Sequence, residues 1–337
     1  MQRHDVNPTA MTRAPTDDAP IRTADRRPAI QGRIGFVGLG RMGSVMAANL
    51  AAGGCRVTAY IRHPDRAEEL AALGLHPSLE IGDLFECDIV ISMLPDDAAV
   101  HNIVFGGGDQ LRPDGLASSL MPGAVHLSMS TISTEAAARF AREHTRCHQH
   151  YIAAPVFGNP DAAKARELFI IAAGEPDHVA RIQPIFDLLG QQTFYVGAEA
   201  ASANLVKLAG NVMTATALEM LAEVLSLVRK RGLDVEKFLN ILTSTMFAGR
   251  VHKIYGAKIA AQRYAASGFV LPLALKDVRL ALAEAEAASV PMPSVSVVRD
   301  RLITGIARGY AELDWSALGL VAAQEAGLAI NVEAKQT

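Results

Sequence analysis

Short apolar runs alternate with amphipathic stretches from residue 33 to about 196. The runs 33–38, 56–61, 88–93, 124–129 and 151–154 read as strands, with two more at 167–173 and 193–196. Asp88-Ile89-Val90-Ile91-Ser92-Met93 is almost wholly apolar, as a parallel strand covered on both faces requires. Helical patterns fall between the runs, at 42–52, 64–73, 134–144 and 176–189; Pro64 opens one and Gly74 closes it. This alternation predicts an open, mostly parallel sheet with interleaved helices.

The rhythm stops at Gly197. From Ser202 to Arg231 the only breaker is Gly210, and Gly232 follows as a stop. Ser202 suits the N-cap, and Arg229, Lys230 and Arg231 suit the last turn. A helix over about 202–231 would span roughly 44 Å. Its 213–228 stretch is apolar on most sides, so it must be covered on most sides, in part by a second subunit. Further helices are expected at 235–242, 251–263, 271–288, 294–308 and 315–326. Three units result: a disordered tail over 1–32, a nucleotide-binding domain over 33–196 and an all-helical domain over 197–330.

Composition narrows the field. Half of the 337 residues are hydrophobic, which suits two domains with sizeable cores. The net charge is −3 and no long basic run occurs, which argues against a nucleic-acid partner. No apolar run is judged long enough for a membrane span. Cys55, Cys87 and Cys147 are scattered, without a CxxC, and read as reduced thiols of a cytoplasmic protein. The first thirty or so residues lack the apolar segment of a signal peptide, and Met11 offers a second start.

The strand–turn–helix at Gly38-Leu39-Gly40-Arg41-Met42-Gly43 carries the first chemistry. Gly38 permits the turn, Gly40 lets the backbone approach a pyrophosphate, and Gly43 lets helix and strand pack closely. The N–H groups at the helix start would face phosphates. In an NAD site an acid sits about 20 residues further on, at the end of the second strand. Here Arg62 holds that place, and a guanidinium grips a 2′-phosphate that a carboxylate would repel. NADP(H) is therefore favoured over NAD(H). The alternative is a solvated Arg62 with Asp65 turned back to the ribose.

Taken in order over residues 33–328, these pieces resemble the β-hydroxyacid dehydrogenase family, which includes 3-hydroxyisobutyrate dehydrogenases and glyoxylate/succinic semialdehyde reductases. The resemblance rests on residues 38–50 with Asn49-Leu50, on Ser92-Met93-Leu94-Pro95, on Ser128-Met129-Ser130-Thr131-Ile132-Ser133, and on Lys207-Leu208-Ala209-Gly210-Asn211 with Lys276-Asp277. It implies a Rossmann N-terminal domain plus an all-α C-terminal domain, joined by a long interdomain helix. It implies that Gly38, Leu39, Gly40, Arg41, Met42 and Gly43 bind the cofactor, with Met93, Leu94 and Pro95 on its adenosine side. Ser130 and Thr131 would lie near the nicotinamide, with Ser130 also near the substrate. Lys207 would be the general acid/base and Asn211 its substrate-side partner. Lys276 would contact the cofactor or close over the substrate, positioned by Asp277. A homodimer acting on a small carbonyl compound or hydroxy acid is expected.

Lys207 is a good candidate on its own terms. It is a lone charge in the uncharged stretch 205–218, and Asn211 lies on the same helix face. Burial would lower its pKa toward neutrality. The plainer alternative is a lysine snorkelling from a helix end. One segment departs from the family pattern. Phe157 stands where a substrate-binding Ser is expected, and Asn159-Pro160 replaces the second glycine region. Gly158 and Asn159 are left as anion or hydroxyl contacts, and the phenyl ring suggests a larger or less polar substrate. A bland reading has Phe157 packing inward and Asn159 taking over from the serine.

Other signals are discounted. His144, Cys147, His148 and His150 invite a zinc site, but they sit where a solvent-facing loop is expected, so no metal is assigned. His101 and His126 read as structural or exposed. Glu219 and Glu223 read as a solvated or ion-paired stripe, and Gly106-Gly107-Gly108 as a flexible connection. The leading function is NADPH-linked reduction of an aldehyde or keto acid. The alternatives are an imine reductase and a non-catalytic NADP-binding dimer scaffold.

Overall fold

A computed structural model describes residues 32–265 and 268–329; the tail expected over 1–32 lies outside them, Gly32 excepted. The strands β1 (Ile34–Val37), β2 (Val57–Tyr60), β3 (His76–Ser78), β4 (Ile89–Ser92), β5 (Val125–Ser128) and β6 (His150–Ala153) form one parallel sheet in the order β3-β2-β1-β4-β5-β6. Ile34, Phe36, Ile91 and Leu127 pack with Met46 and Leu50 of the helix Arg41–Ala52 on one face. Val37, Val90 and Ala153 pack with Val100, Val104 and Phe140 on the other. Two covered faces explain the apolar strand runs. The strand order reverses between β1 and β4, and a crevice opens at the carboxyl ends of the strands there.

The later strands do not extend this sheet. β7 (Val156–Phe157), β8 (Leu168–Ala172) and β9 (Gly190–Tyr195) form a second sheet, with β7 antiparallel and β9 parallel to β8. Pro155 follows β6 without an N–H to continue the ladder, and its carbonyl accepts from Ile171 N instead. The helix expected over 176–189 is two, Pro176–Arg181 and Gln183–Leu189, because Pro184 cannot donate the bond that would join them. β3 and the helices Asp97–Phe105 and Pro160–Lys164 are additions to the expected elements. Each of the two helices has a side-chain cap: Ala99 N donates to Asp96 Oδ1 and Ala162 N to Asn159 Oδ1.

The long helix runs from Ala200 to Lys230. Glu199, not Ser202, holds the N-cap, and its side chain makes no capping bond. Gly232, at φ +74°, turns the chain out of the helix. Ala200 and Ala203 join the sheet-side core, whereas Leu208, Leu218 and Leu225 pack with Leu271, Val298 and Leu320 of the helical part. Contrary to expectation, this helix is long and apolar enough to cross a membrane by length and composition; 56% of its most apolar window is buried inside the protein. It also carries buried Lys207, Asn211 and Glu219. Glu219 pairs with Arg301 at 2.7 Å, so that part of the acidic stripe is ion-paired.

One face of the sheet holds a buried polar chain. His144 is fully buried, not on a solvent-facing loop. Gln149 Nε2 donates to the carbonyls of Leu120 at 2.7 Å and Ala117 at 3.2 Å, which leaves its Oε1 to accept from His144 Nδ1 at 2.7 Å. Neutral His144 must then accept at Nε2, so His126 Nδ1 donates to it at 2.9 Å. His126 Nε2 in turn accepts from Ser92 Oγ at 2.9 Å. Burial pushes His144 down to about 4 and His126 well below its ordinary value, with His144 adding to the latter shift. Both rings therefore stay neutral with the proton on Nδ1.

The unfolded chain takes up the His144 proton near pH 6.5, whereas the folded chain resists until about 4. Stability is expected to fall as pH drops through this window, by about 3 kcal/mol from His144 alone. Urea titrations of the wild type against His144→Gln isolate that share. Identical pH slopes for the two proteins would show that His144 is not a buried neutral base.

Candidate active site

The crevice at the strand ends is a cleft of about 880 Å³. Gly38, Leu39 and Gly40 line it after β1, Arg62, His63 and Arg66 after β2, and Met93, Leu94 and Pro95 after β4. The three glycines have distinct tasks. Gly38 has φ +92°, and a Cβ there would meet Met93 O at 2.2 Å. A Cβ on Gly43 would lie 1.9 Å from Gly38 O, so this glycine seats the helix against the turn. A Cβ on Gly40 would meet nothing within 4 Å. Gly40 is also the N-cap of the helix Arg41–Ala52, with no side-chain cap and no acid in the first turn. The open side of this turn fits an anionic pyrophosphate on the helix N–H groups.

Lys207 lies outside the lining of this cleft, and a chain of bonds connects the two. Lys207 is 8% exposed, and its Nζ donates to Asn211 Oδ1 at 3.0 Å. Asn211 Nδ2 donates to Asp277 Oδ2 at 2.5 Å. Asp277, 1% exposed, pairs through Oδ1 with Lys276 Nζ at 3.0 Å. Lys276 Nζ donates in turn to Pro95 O at 2.9 Å and to Thr131 O. The helix Leu271–Ala287 thus joins the long helix to the loops after β4 and β5. Burial pulls Lys207 down to about 8, against the upward pull of Asp277 and with a smaller downward push from Lys276. The Phe157 ring centroid lies 4.6 Å from Lys207 Nζ.

Several expected site residues sit elsewhere than in the cleft wall. Ser130 is fully buried behind it, where its hydroxyl accepts from Leu94 N at 2.8 Å. It thereby braces the wall from behind. Asn159 caps the helix Pro160–Lys164 with its Oδ1. Arg41 and Gly158 are exposed, and Met42 and Thr131 half-buried; none of these four lines the cleft. Arg66 was missed as a site residue. Its guanidinium donates to Leu39 O and to Ser44 Oγ at 3.3 Å, tying the segment after β2 to the glycine turn. A second arginine four residues past Arg62 was the available signal. Gly106 and Gly107 also line the cleft rather than only connecting elements.

Known proteins resemble this chain in sequence and fold. Residues 33–197 match the family described as the NAD binding domain of 6-phosphogluconate dehydrogenase. Residues 201–322 match the NAD-binding region of NADP-dependent 3-hydroxyisobutyrate dehydrogenase. The uncharacterized oxidoreductase YfjR of Bacillus subtilis is 37% identical over 290 residues, 85% of this chain and 98% of that protein. The 2-hydroxy-3-oxopropionate reductase of Escherichia coli is 30% identical, over 85% of this chain and 95% of its own. The structure of Mycobacterium tuberculosis 3-hydroxyisobutyrate dehydrogenase with L-serine superposes with a TM-score of 0.76 at 25% identity, covering 86% of this chain and 98% of that one. The chain belongs to the β-hydroxyacid dehydrogenase family. It is an NAD(P)-binding oxidoreductase of the class that acts on CH–OH groups.

The glycine geometry sets a clear order of tolerance. Gly43→Ala is expected to lower stability by about 2–4 kcal/mol, because backbone rather than a flexible side chain blocks the new methyl. Gly40→Ala is expected to stay within ~0.5 kcal/mol of the wild type. Thermal denaturation of the two variants without cofactor checks this, and equal losses would refute the division of roles.

Proposed function

We propose that the protein is an NADPH-dependent reductase of small carbonyl compounds, reversibly a dehydrogenase of the corresponding alcohols or hydroxy acids. The observation that carries this is the buried Lys207–Asn211–Asp277 chain beside a dinucleotide-type cleft. With its pyrophosphate held at the glycine turn, a reduced nicotinamide cofactor would supply the hydride for the carbonyl carbon. Lys207 Nζ gives its proton to the carbonyl oxygen, so C=O becomes CH–OH. Asn211 aims the ammonium, and Asp277 keeps a compensating charge one hydrogen-bond step away. Lys276 holds the loops after β4 and β5 against this corner. A resident lysine cation supports carbonyl chemistry over imine reduction, because it would repel an iminium substrate. It also has no use in a non-catalytic scaffold.

Arg62 and His63 are exposed on the cleft wall, and Arg66 is anchored beside them. Asp65 does not line the cleft. Arg66 is paired with Glu69 at 3.0 Å, so the exposed Arg62 guanidinium, with Asp65 off the cleft wall, is the group that supports a 2′-phosphate, hence NADPH over NADH.

Lys207→Ala is expected to retain NADPH binding and to lose turnover by about 10²–10⁴-fold. In the wild type, reduction needs the protonated lysine, so its rate should fall as pH rises through about 8; oxidation needs the neutral amine and should rise over the same range. Steady-state assays in both directions read this, and surviving turnover in Lys207→Ala would sink the assignment. Arg62→Ala should weaken NADPH by roughly ten-fold or more, with NADH nearly unchanged. Equal effects on the two cofactors, measured by fluorescence titration, would count against the phosphate clamp.

A further inference from the structure

Phe157 is built into the corner that holds Lys207. β7 places it: its pairing with Phe169 of β8 fixes the backbone. The long helix admits it, since a Cβ on Gly210 would lie 2.3 Å from Phe157 Cζ. The one glycine of that helix is therefore the seat of the ring. The ring centroid is 4.6 Å from Lys207 Nζ, and the residue is half-buried, packed against the sheet-side core.

Several groups around that corner are already engaged with the protein. Lys276 is bound to Pro95 O, Thr131 O and Asp277. The Asn211 amide donates to Asp277. Ser130 is fully buried on Leu94 N, and Asn159 Oδ1 caps its helix. Pro160 has no N–H to offer. Asp277 adds negative charge behind Asn211. A carboxylate against the ring would face an electron-rich π surface and would have to draw on the Lys207 ammonium, which already meets the ring and Asn211, or on the Asn159 amide nitrogen. An alkyl or aryl group would gain contact area and lose nothing.

We propose that Phe157 sets specificity, and that the substrate is an aldehyde or ketone bearing an apolar group beside the carbonyl, seated on the ring, rather than a carboxylate. This rests on the reading of Lys207 as proton donor to that carbonyl.

The test pairs phenylacetaldehyde with glyoxylate, using the full chain and NADPH. Wild-type kcat/KM is expected to favour phenylacetaldehyde by about ten-fold or more. Phe157→Ser should reduce that ratio by about ten-fold, mainly through KM, and Phe157→Leu should restore most of it. A wild-type preference for glyoxylate, or a ratio unmoved by Phe157→Ser, overturns the proposal. Calorimetry separates it from the catalytic reading. With NADPH bound, 2-phenylethanol and glycolate cannot react, and the wild type should bind 2-phenylethanol about ten-fold more tightly, with the margin lost in Phe157→Ser. Equal or tighter glycolate binding overturns the proposal whatever the turnover. That binding preference without turnover of either aldehyde upholds Phe157 and removes the reductase reading.

Discussion

Everything in the candidate site hangs on keeping one lysine charge stable where water is nearly excluded. Lys207 is 8% exposed, and a bare ammonium so placed would shed its proton or pull the helix apart. The fold answers with a line of partners rather than with one close carboxylate. Asn211, one turn along the same helix, takes the first bond; Asp277, from another helix, takes the second. A carboxylate in direct contact would hold the lysine's proton firmly. One amide further away, it offsets burial without fully cancelling it, which leaves a group near 8 that can both give and take a proton.

That arrangement constrains the architecture around it. The helix Leu271–Ala287 must cross the long helix at Asn211 and reach the sheet end at Pro95 and Thr131. The loops after β4 and β5 must in turn be held still. Ser130 bonds Leu94 N from below, while Ser92 Oγ is engaged by the His126–His144–Gln149 line inside the sheet face. The cleft wall is thus pinned from its polar underside as well as by Lys276.

What was legible in the sequence was what repeats locally. Strand runs, the glycine turn, Gly232 as a stop and the i, i+4 placement of Lys207 and Asn211 each depend on residues within a few positions of one another. What was not legible depends on chain separation. Asp277 lies 66 residues from Asn211; family resemblance had it positioning Lys276, and its bond to Asn211 was not foreseen. His126 and His144 are 18 apart, and nothing local marks them as neighbours. Ser130 was read as a ligand contact only through the family resemblance, and nothing local showed that its hydroxyl accepts from Leu94 N. The split of the sheet at Pro155 was written in the sequence as a missing donor, yet a βα rhythm running past it masked the break. Arg66 was obscured by the better-placed Arg62.

The long helix has a consequence for how the protein comes into being. Its first turns supply Ala200 and Ala203 to the sheet-side core, while later turns supply Leu208 through Val228 to the helical core. During synthesis, all of the six-stranded sheet leaves the ribosome before either alanine does, so that face waits for its last cover. The later turns wait longer still, because Leu271, Val298 and Leu320 follow them along the chain. A largely apolar rod of 31 residues is therefore half-housed for a time. Final assembly of both cores becomes one late event that needs the C-terminal helices, and a chain cut short after Lys230 would leave that rod exposed to association with other chains.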